Sequence, residues 1–180
     1  NLAVSTFNDN TSTSYFHKSI GGYHGAKLKR YQELIDSSII RELTMFSTVA
    51  EKATTINDLL PVFEKTPALN MLNAKYVILN AEAPPLVNPH AAGNAWFAGK
   101  PVIAKNANAE LADVNMIDPK KEAAIETRFK DQVQKASYPV SPGDSIWLVS
   151  YEPNELVYKY NAASEGMAIF SEIYYPAGWK

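Results

Sequence analysis

Gly166-Met167-Ala168-Ile169-Phe170-Ser171-Glu172-Ile173-Tyr174-Tyr175-Pro176-Ala177-Gly178-Trp179-Lys180 is the most hydrophobic and aromatic run in the chain. Read as an extended strand, it places Met167, Ile169, Ser171 and Ile173 on one face and Ala168, Phe170, Glu172 and Tyr174 on the other. The first face is mostly apolar; the second sets a carboxylate between two aromatic rings. Pro176 has no N–H to donate and ends the strand, and Pro176-Ala177-Gly178 reads as a turn. A turn calls for a return strand, yet only Trp179 and Lys180 follow, so the run reads as half of a hairpin.

Moving outward, Ser145 to Ser150 and Glu155 to Asn161 alternate as two further strands, with turns at Glu152-Pro153-Asn154 and at Ala162 to Glu165. The three segments in succession predict an antiparallel meander. Before them, Glu122 to Phe129 alternates as a strand followed by a polar connection, Lys130 to Lys135. Asn108 to Met116 predicts a short helix bearing Leu111, Val114 and Met116, broken by Asp118-Pro119. Ala95 to Lys105 is a hairpin or bent strand about Gly99-Lys100. Ala81 to Asn94, with three prolines, is a loop, and Lys75 to Asn80 is the clearest buried strand.

The first part of the chain is helical. From Ala26 to Phe46, Leu28, Tyr31, Leu34, Ile35, Ile39 and Leu43 recur at three- and four-residue steps, and Lys29 stands four residues before Glu33. Ser37-Ser38 is a candidate interruption. A second helical stretch follows Thr55, through Ile56, Leu59, Leu60 and Phe63, with Thr55 or Asn57 as cap. Pro67 to Leu72 predicts a short helix with Leu69 and Leu72 inward. Asn1 to Thr6 alternates as a strand, and Asn8 to Ser14 is polar and loop-like. Its sequon, Asn10-Thr11-Ser12, is read as chance. Helices first and strands afterwards predict an α+β fold: a helical N-terminal part, then a mainly antiparallel β-sheet with a C-terminal strand meander. The expected organisation is one domain over residues 1–180, helix-rich over 1–74 and strand-rich over 75–180.

Composition narrows function mainly by exclusion. A length of 180 residues, 46% hydrophobic and 20% charged, is ordinary for a globular chain with a sizeable core. A net charge of −2 leaves no electrostatic footprint for nucleic acid, and no apolar run is long enough to cross a bilayer. Zero cysteines exclude disulfides, thiol catalysis and Cys-ligated zinc. Residue 1 is Asn, and no signal-peptide pattern precedes the first element. With the half hairpin at the other end, this gives the expectation of a segment excised from a longer protein.

Chemistry-bearing motifs are sparse. The histidines are His17, His24 and His90; His17 and His24 lie across two adjacent glycines, without zinc spacing, so no metal site and no cofactor is expected. Gly21, Gly22 and Gly25 rule out a continuous helix there and let the backbone turn or approach another group closely. No Gly-x-Ser-x-Gly is present, and no spacing selects a carboxylate pair. The aromatics are more informative: 10 Tyr, 7 Phe and 3 Trp. Aromatic rings beside small polar groups bind sugar rings by stacking and hydrogen bonding. The candidates are Trp96 near Asn94, and Tyr174, Tyr175 and Trp179 beside Glu172, with core filling or domain contact as the plainer alternative. His17, Tyr23 and His24 supply donors and acceptors along the glycine-rich segment.

Several of these stretches carry a family resemblance. Tyr15-Phe16-His17-Lys18-Ser19-Ile20-Gly21-Gly22-Tyr23-His24-Gly25-Ala26-Lys27, Asn70-Met71-Leu72-Asn73-Ala74-Lys75-Tyr76-Val77-Ile78, Asn88-Pro89-His90-Ala91-Ala92-Gly93-Asn94-Ala95-Trp96-Phe97, Asp118-Pro119-Lys120-Lys121 and Phe170 to Trp179 occur in that order. Together they resemble the bacterial YfhO-type membrane proteins as they occur in Bacteroidetes. The resemblance implies a large polytopic protein related to class C glycosyltransferases, which use lipid-linked sugars on the outer side of the cytoplasmic membrane. This chain would be a soluble extracytoplasmic (periplasmic) segment, lacking the membrane helices of the family pattern. The catalytic acid of such enzymes lies in loops of the membrane part, so no catalytic residue carries over. The expected function is a non-catalytic domain supporting glycan or acceptor binding, with partners in the membrane portion of the same chain and in a cell-envelope glycan or lipid-linked sugar. The alternatives are a structural or interaction domain without a ligand, and a carboxylate-dependent glycan hydrolase.

Overall fold

The computed structural model describes residues 7, 14, 15, 17–23, 25–79 and 82–179, and the chain divides into two compact units, Asn1–Ala91 and Ala92–Lys180. The expected strand at Asn1 to Thr6, most of the loop after it, and His24 lie outside the described residues.

The first unit is built on one helical rod: α1 (Lys29–Leu34), a π turn (Ile35–Ile39) and α2 (Ile40–Ala50). Backbone dihedrals stay right-handed helical through both junctions. The π turn falls on Ser37-Ser38, the interruption expected from the sequence. There the Ile40 N–H reaches back to Ile35 O, and the Ser37 hydroxyl donates to Glu33 O at 2.7 Å. Ile35, Ser38, Ile39, Glu42, Leu43 and Phe46 form the buried stripe at three- and one-residue steps.

Against this stripe packs a 3₁₀ helix, Ile56–Lys65. Phe46 and Phe63, both fully buried, meet edge-on at 4.7 Å and 61°. Each such ring contributes roughly 2–3 kcal/mol by leaving water. Thr55 is the N-cap, as expected, but Asp58 supplies the side-chain capping: its Oδ2 accepts from the Thr54 and Thr55 N–H groups at 2.9 Å. Pro61 sits inside this helix, which continues past it.

α3 (Pro67–Met71) opens with proline, whose missing N–H is harmless in a first turn. It closes with Asn73 at φ 54°, where Ala74 N bonds Leu69 O and Asn73 N bonds Asn70 O, a Schellman arrangement. Two short strands follow, β1 (Tyr76–Val77) and β2 (Leu86–Val87), paired antiparallel. The expected buried strand at Lys75 to Asn80 is corrected here. Only two residues pair, and Tyr76 and Ile78 are 62% and 52% exposed, so among the described residues only Val77 of this run is buried. The expected Ala81 to Asn94 loop likewise contains β2.

A buried polar link ties these pieces together. Asn70 Nδ2 donates to Phe63 O at 2.8 Å, and Asn70 Oδ1 accepts from Asn88 Nδ2 at 2.8 Å. Asn88 also donates to Ala74 O and accepts from His90 N. The 3₁₀ helix, α3 and the β1–β2 pair are thereby held through two side-chain amides.

The second unit carries the remaining strands: β3 (Ala95–Ala98), β4 (Lys100–Ala104), α4 (Ala107–Val114), β5 (Glu122–Glu126), a 3₁₀ turn (Thr127–Gln132), β6 (Ser145–Glu152), β7 (Glu155–Asn161) and β8 (Met167–Phe170). The chain is α+β with mainly antiparallel strands in small sheets, as its element order predicted. β6 and β7 form a hairpin with a bulge between Leu148 and Ser150, and β8 then pairs with β3, Trp96 opposite Ile169. β4 and β5 pair in parallel, Val102 opposite Ala124, with α4 as the connection. Asn106 caps α4 by accepting from Ala109 N, and Glu110 fixes the helix to the sheet by accepting from Glu126 N at 2.8 Å.

Two segments differ from expectation, and Ala95 to Lys105 takes the bent form rather than the hairpin. Glu122 to Phe129 is strand only to Glu126, after which the chain coils tightly. Ala95 to Lys105 bends at Gly99, whose N–H bonds Lys121 O and whose C=O accepts from Tyr138 N, so β3 and β4 part into different sheets. β8 runs only from Met167 to Phe170; Ser171 adds one further contact with the strand partner, its N–H and hydroxyl both on Asn94 O, and past it the chain bends.

Candidate functional site

The expected ligand residues fall into three places. Trp96 and Asn94 belong to β3 and the residues leading into it. The Asn94 carbonyl accepts from Ser171 N at 3.0 Å and Ser171 Oγ at 3.2 Å, so its backbone extends the β3–β8 pairing. Trp96 is half-buried and donates its Nε1–H to Pro119 O at 2.6 Å, which fixes the indole against the turn after α4. That turn is built by Asp118, whose backbone and side-chain oxygens accept from Lys120, Lys121 and Glu122 N–H groups and whose carboxylate pairs with Lys121 at 3.0 Å. Lys120 is left exposed, with no ion-pair partner among the described residues.

Trp96 and Lys120 line one shallow depression of about 260 Å³, together with Phe97, Ile146, Asp144 and Ser145. Asp144 closes the Ser141–Asp144 turn, accepting from Ser141 N at 2.8 Å and Ala163 N at 2.9 Å. These two N–H groups hold its carboxyl below the usual Asp range, so it stands ionised, with lone pairs left over for further donors. The depression therefore combines an aromatic and aliphatic wall, one free ammonium and one fixed carboxylate. A polyhydroxylated ring meets the same three needs: an apolar face to stack on, a donor and an acceptor.

The C-terminal cluster is arranged differently from the expected strand face. Past Phe170 the chain bends, and a tight turn forms in which Gly178 N and Trp179 N both bond Tyr175 O. Trp179 Nε1–H donates to Ile173 O at 3.2 Å, while Tyr174, Tyr175 and Trp179 stay largely exposed. Glu172 is thus not held between two rings of one strand face. Its charge instead lies near Tyr158, whose phenol is raised by burial and then by Glu172 and Tyr151. Tyr158 packs edge-on against Phe170 at 4.9 Å, and Phe97 against Tyr160 at 6.5 Å, though Phe170 and Tyr160 both remain exposed.

His17 and Tyr23 lie in the first unit, both exposed, and His24 lies outside the described residues. The glycines between them serve a packing need. Gly22 N bonds Phe7 O at 2.7 Å, and a Cβ on Gly21 would stand 2.7 Å from that same oxygen. Nearby, the Tyr31 hydroxyl donates to Ile20 O, and burial pushes the Tyr31 phenol up to about 12.

Sequence reasoning missed Lys120 and Asp144 as site residues. Ser141-Pro142-Gly143-Asp144 signals a turn closed by Asp, but its distance in sequence from Trp96 hid the meeting of the two. It also missed Glu42, the one carboxylate among the described residues fully shut from solvent, with Oε1 and Oε2 accepting from Ala68 N and Leu69 N at 2.9 Å each. Burial raises this carboxyl to about 7 against the pull of the two N–H groups and Arg41. Among the described residues no group of three or more His, Asp or Glu side chains is placed to hold a metal ion, and no helix is long and apolar enough to cross a membrane. No protein-family model, curated protein or solved structure matches the chain.

Proposed function

We propose that the chain is a binding domain that holds a hydroxylated, glycan-type ligand at the Trp96 depression. In keeping with the family resemblance, it does so as a non-catalytic extracytoplasmic part of a membrane glycosyltransferase-like protein of the cell envelope. One observation carries this reading: the Trp96 wall, the free Lys120 ammonium and the ionised Asp144 carboxylate border a single depression. Trp96 is fixed by Pro119 and Asp144 by Ser141 and Ala163, so both are set before a ligand arrives and little ordering entropy remains to be spent. Openness suits a ligand that is part of a longer chain, bound on one side while the rest stays in solvent.

The test is titration of the chain with envelope oligosaccharides, neutral and acidic, while following the indole N–H resonances and tryptophan fluorescence. Saturable shifts at the Trp96 indole, weakened in Lys120→Ala, are expected. The Lys120 side chain is exposed and makes no ion pair among the described residues, so this variant isolates binding. No response from any oligosaccharide would refute the reading.

A second reading, an interaction domain without a glycan ligand, is favoured by the outward side of the β6–β7 hairpin. Trp147, Val149 and Val157 stand there uncovered. Retention of the chain by the membrane portion of its own protein, with no response to sugars, would decide for it.

A further inference from the structure

We propose that the free edge of β7 is a self-association surface, on which a second copy of this chain adds its own β7, antiparallel, about a two-fold axis at Val157. This inference is independent of the Trp96 depression. β7 pairs with β6 along one edge, and among the described residues no strand and no backbone group pairs with the other. Such an edge presents a row of open N–H and C=O groups, which stable monomers usually guard with charge, proline or a covering element. The exposed row of β7 reads Glu155, Val157, Lys159, Asn161, and neither Glu155 nor Lys159 has an ion-pair partner among the described residues.

The order of that row selects the partner. Antiparallel pairing of a strand with its own copy keeps each side chain on its proper face only when the two-fold axis falls on a residue. With the axis at Val157, Val157 meets Val157, Glu155 meets Lys159 on both sides of it, and Leu156 meets Tyr158 on the opposite face. With the axis at Tyr158, Glu155 meets Asn161 and Val157 meets Lys159, and no charge is matched. Acid, β-branched residue and base at two-residue steps are complementary to their own reversal in one register. Charges that repel other edges therefore admit this one. The product is a four-stranded sheet, β6–β7–β7–β6, whose outward side joins the Trp147 and Val157 rows of both copies.

Sedimentation equilibrium of the chain, over a concentration series at low and at physiological salt, tests the proposal. A monomer–dimer equilibrium that weakens with salt is expected. Lys159→Glu and Glu155→Lys each turn two attractions into two repulsions and should weaken the dimer roughly tenfold or more. The double variant Glu155→Lys/Lys159→Glu restores the pairing and should recover wild-type association. Circular dichroism of each variant checks that it is folded. A chain that stays monomeric at every concentration overturns the proposal. So does a dimer indifferent to the single reversals, or a folded double variant that does not recover.

Discussion

Replacing Glu42 tests how the first unit is held together. α3 begins at Pro67, which has no N–H, and Asn70 N is satisfied by Thr66 O. The donors left over in that first turn are Ala68 N and Leu69 N, and Glu42 takes both at 2.9 Å from a site fully shut from water. Glu42→Ala leaves two buried N–H groups without partners, at ~1–3 kcal/mol each, so a loss of about 2–6 kcal/mol is expected. That is a large share of the stability of an ordinary domain. Glu42→Gln keeps the shape but turns an amide donor toward one of the two N–H groups, and should fall between wild type and Glu42→Ala. The pH profile adds a second constraint. Burial raises this carboxyl from 4.5 to about 7, so the folded state holds its proton more tightly than the unfolded state. The associated stability is fully present below pH 4.5, fades as pH rises through about 7, and amounts to ~3 kcal/mol over that span. Urea unfolding followed by far-ultraviolet circular dichroism is the assay, since the long helical rod dominates the helical signal while all three tryptophans lie in the second unit. Wild type should lose stability from pH 4.5 to 7 relative to Glu42→Gln. An equal slope for the two proteins, or a Glu42→Ala variant as stable as wild type, would refute the reasoning.

Three further substitutions follow from the packing. Asn88→Ala strands Asn70 Oδ1, Ala74 O and His90 N together and should cost roughly 1–3 kcal/mol in the same unfolding experiment. Gly166→Ala sets a Cβ 2.9 Å from the Phe97 ring, and overpacking of about 1–3 kcal/mol should appear as a lower urea midpoint by tryptophan fluorescence. Asp144, its carboxyl held low by Ser141 and Ala163 N–H groups, lends the second unit stability that is present above pH 3.8 and lost as pH falls through its folded value. Asp144→Asn should remove that contribution, read as a fluorescence midpoint that falls less than that of wild type between neutral and strongly acid pH.

Much of the fold was legible along the chain because its signals are local. The three- and four-residue recurrence from Leu28 to Leu43 marked the rod, and Ser37-Ser38 marked its π turn. Pro67 marked the start of α3, and Pro153-Asn154 sits between β6 and β7. The hidden parts were those in which a polar residue occupies a place that periodicity assigns to an apolar one. Ser38 and Glu42 lie on the buried stripe, which the recurrence of apolar residues alone does not reveal. Asn70 and Asn88, read at first only as members of family-like stretches, are a buried hydrogen-bonded pair. Of the ligand candidates, Trp96 lies at a depression; Tyr174, Tyr175 and Trp179 cluster in an exposed turn, and His17 and Tyr23 belong to the other unit.

The amino-acid order by itself determined the α+β succession, the helix starts at Thr55 and Pro67, and the alternation of β6 and β7, because capping, proline geometry and side-chain period act within a few residues. Only the tertiary structure decided that β8 joins β3, that Glu42 caps a helix far along the chain, and that Lys120 and Asp144 flank Trp96. Those choices follow from burial and from the need to satisfy every enclosed N–H and C=O, and such needs are met by whichever residues the folded chain brings near.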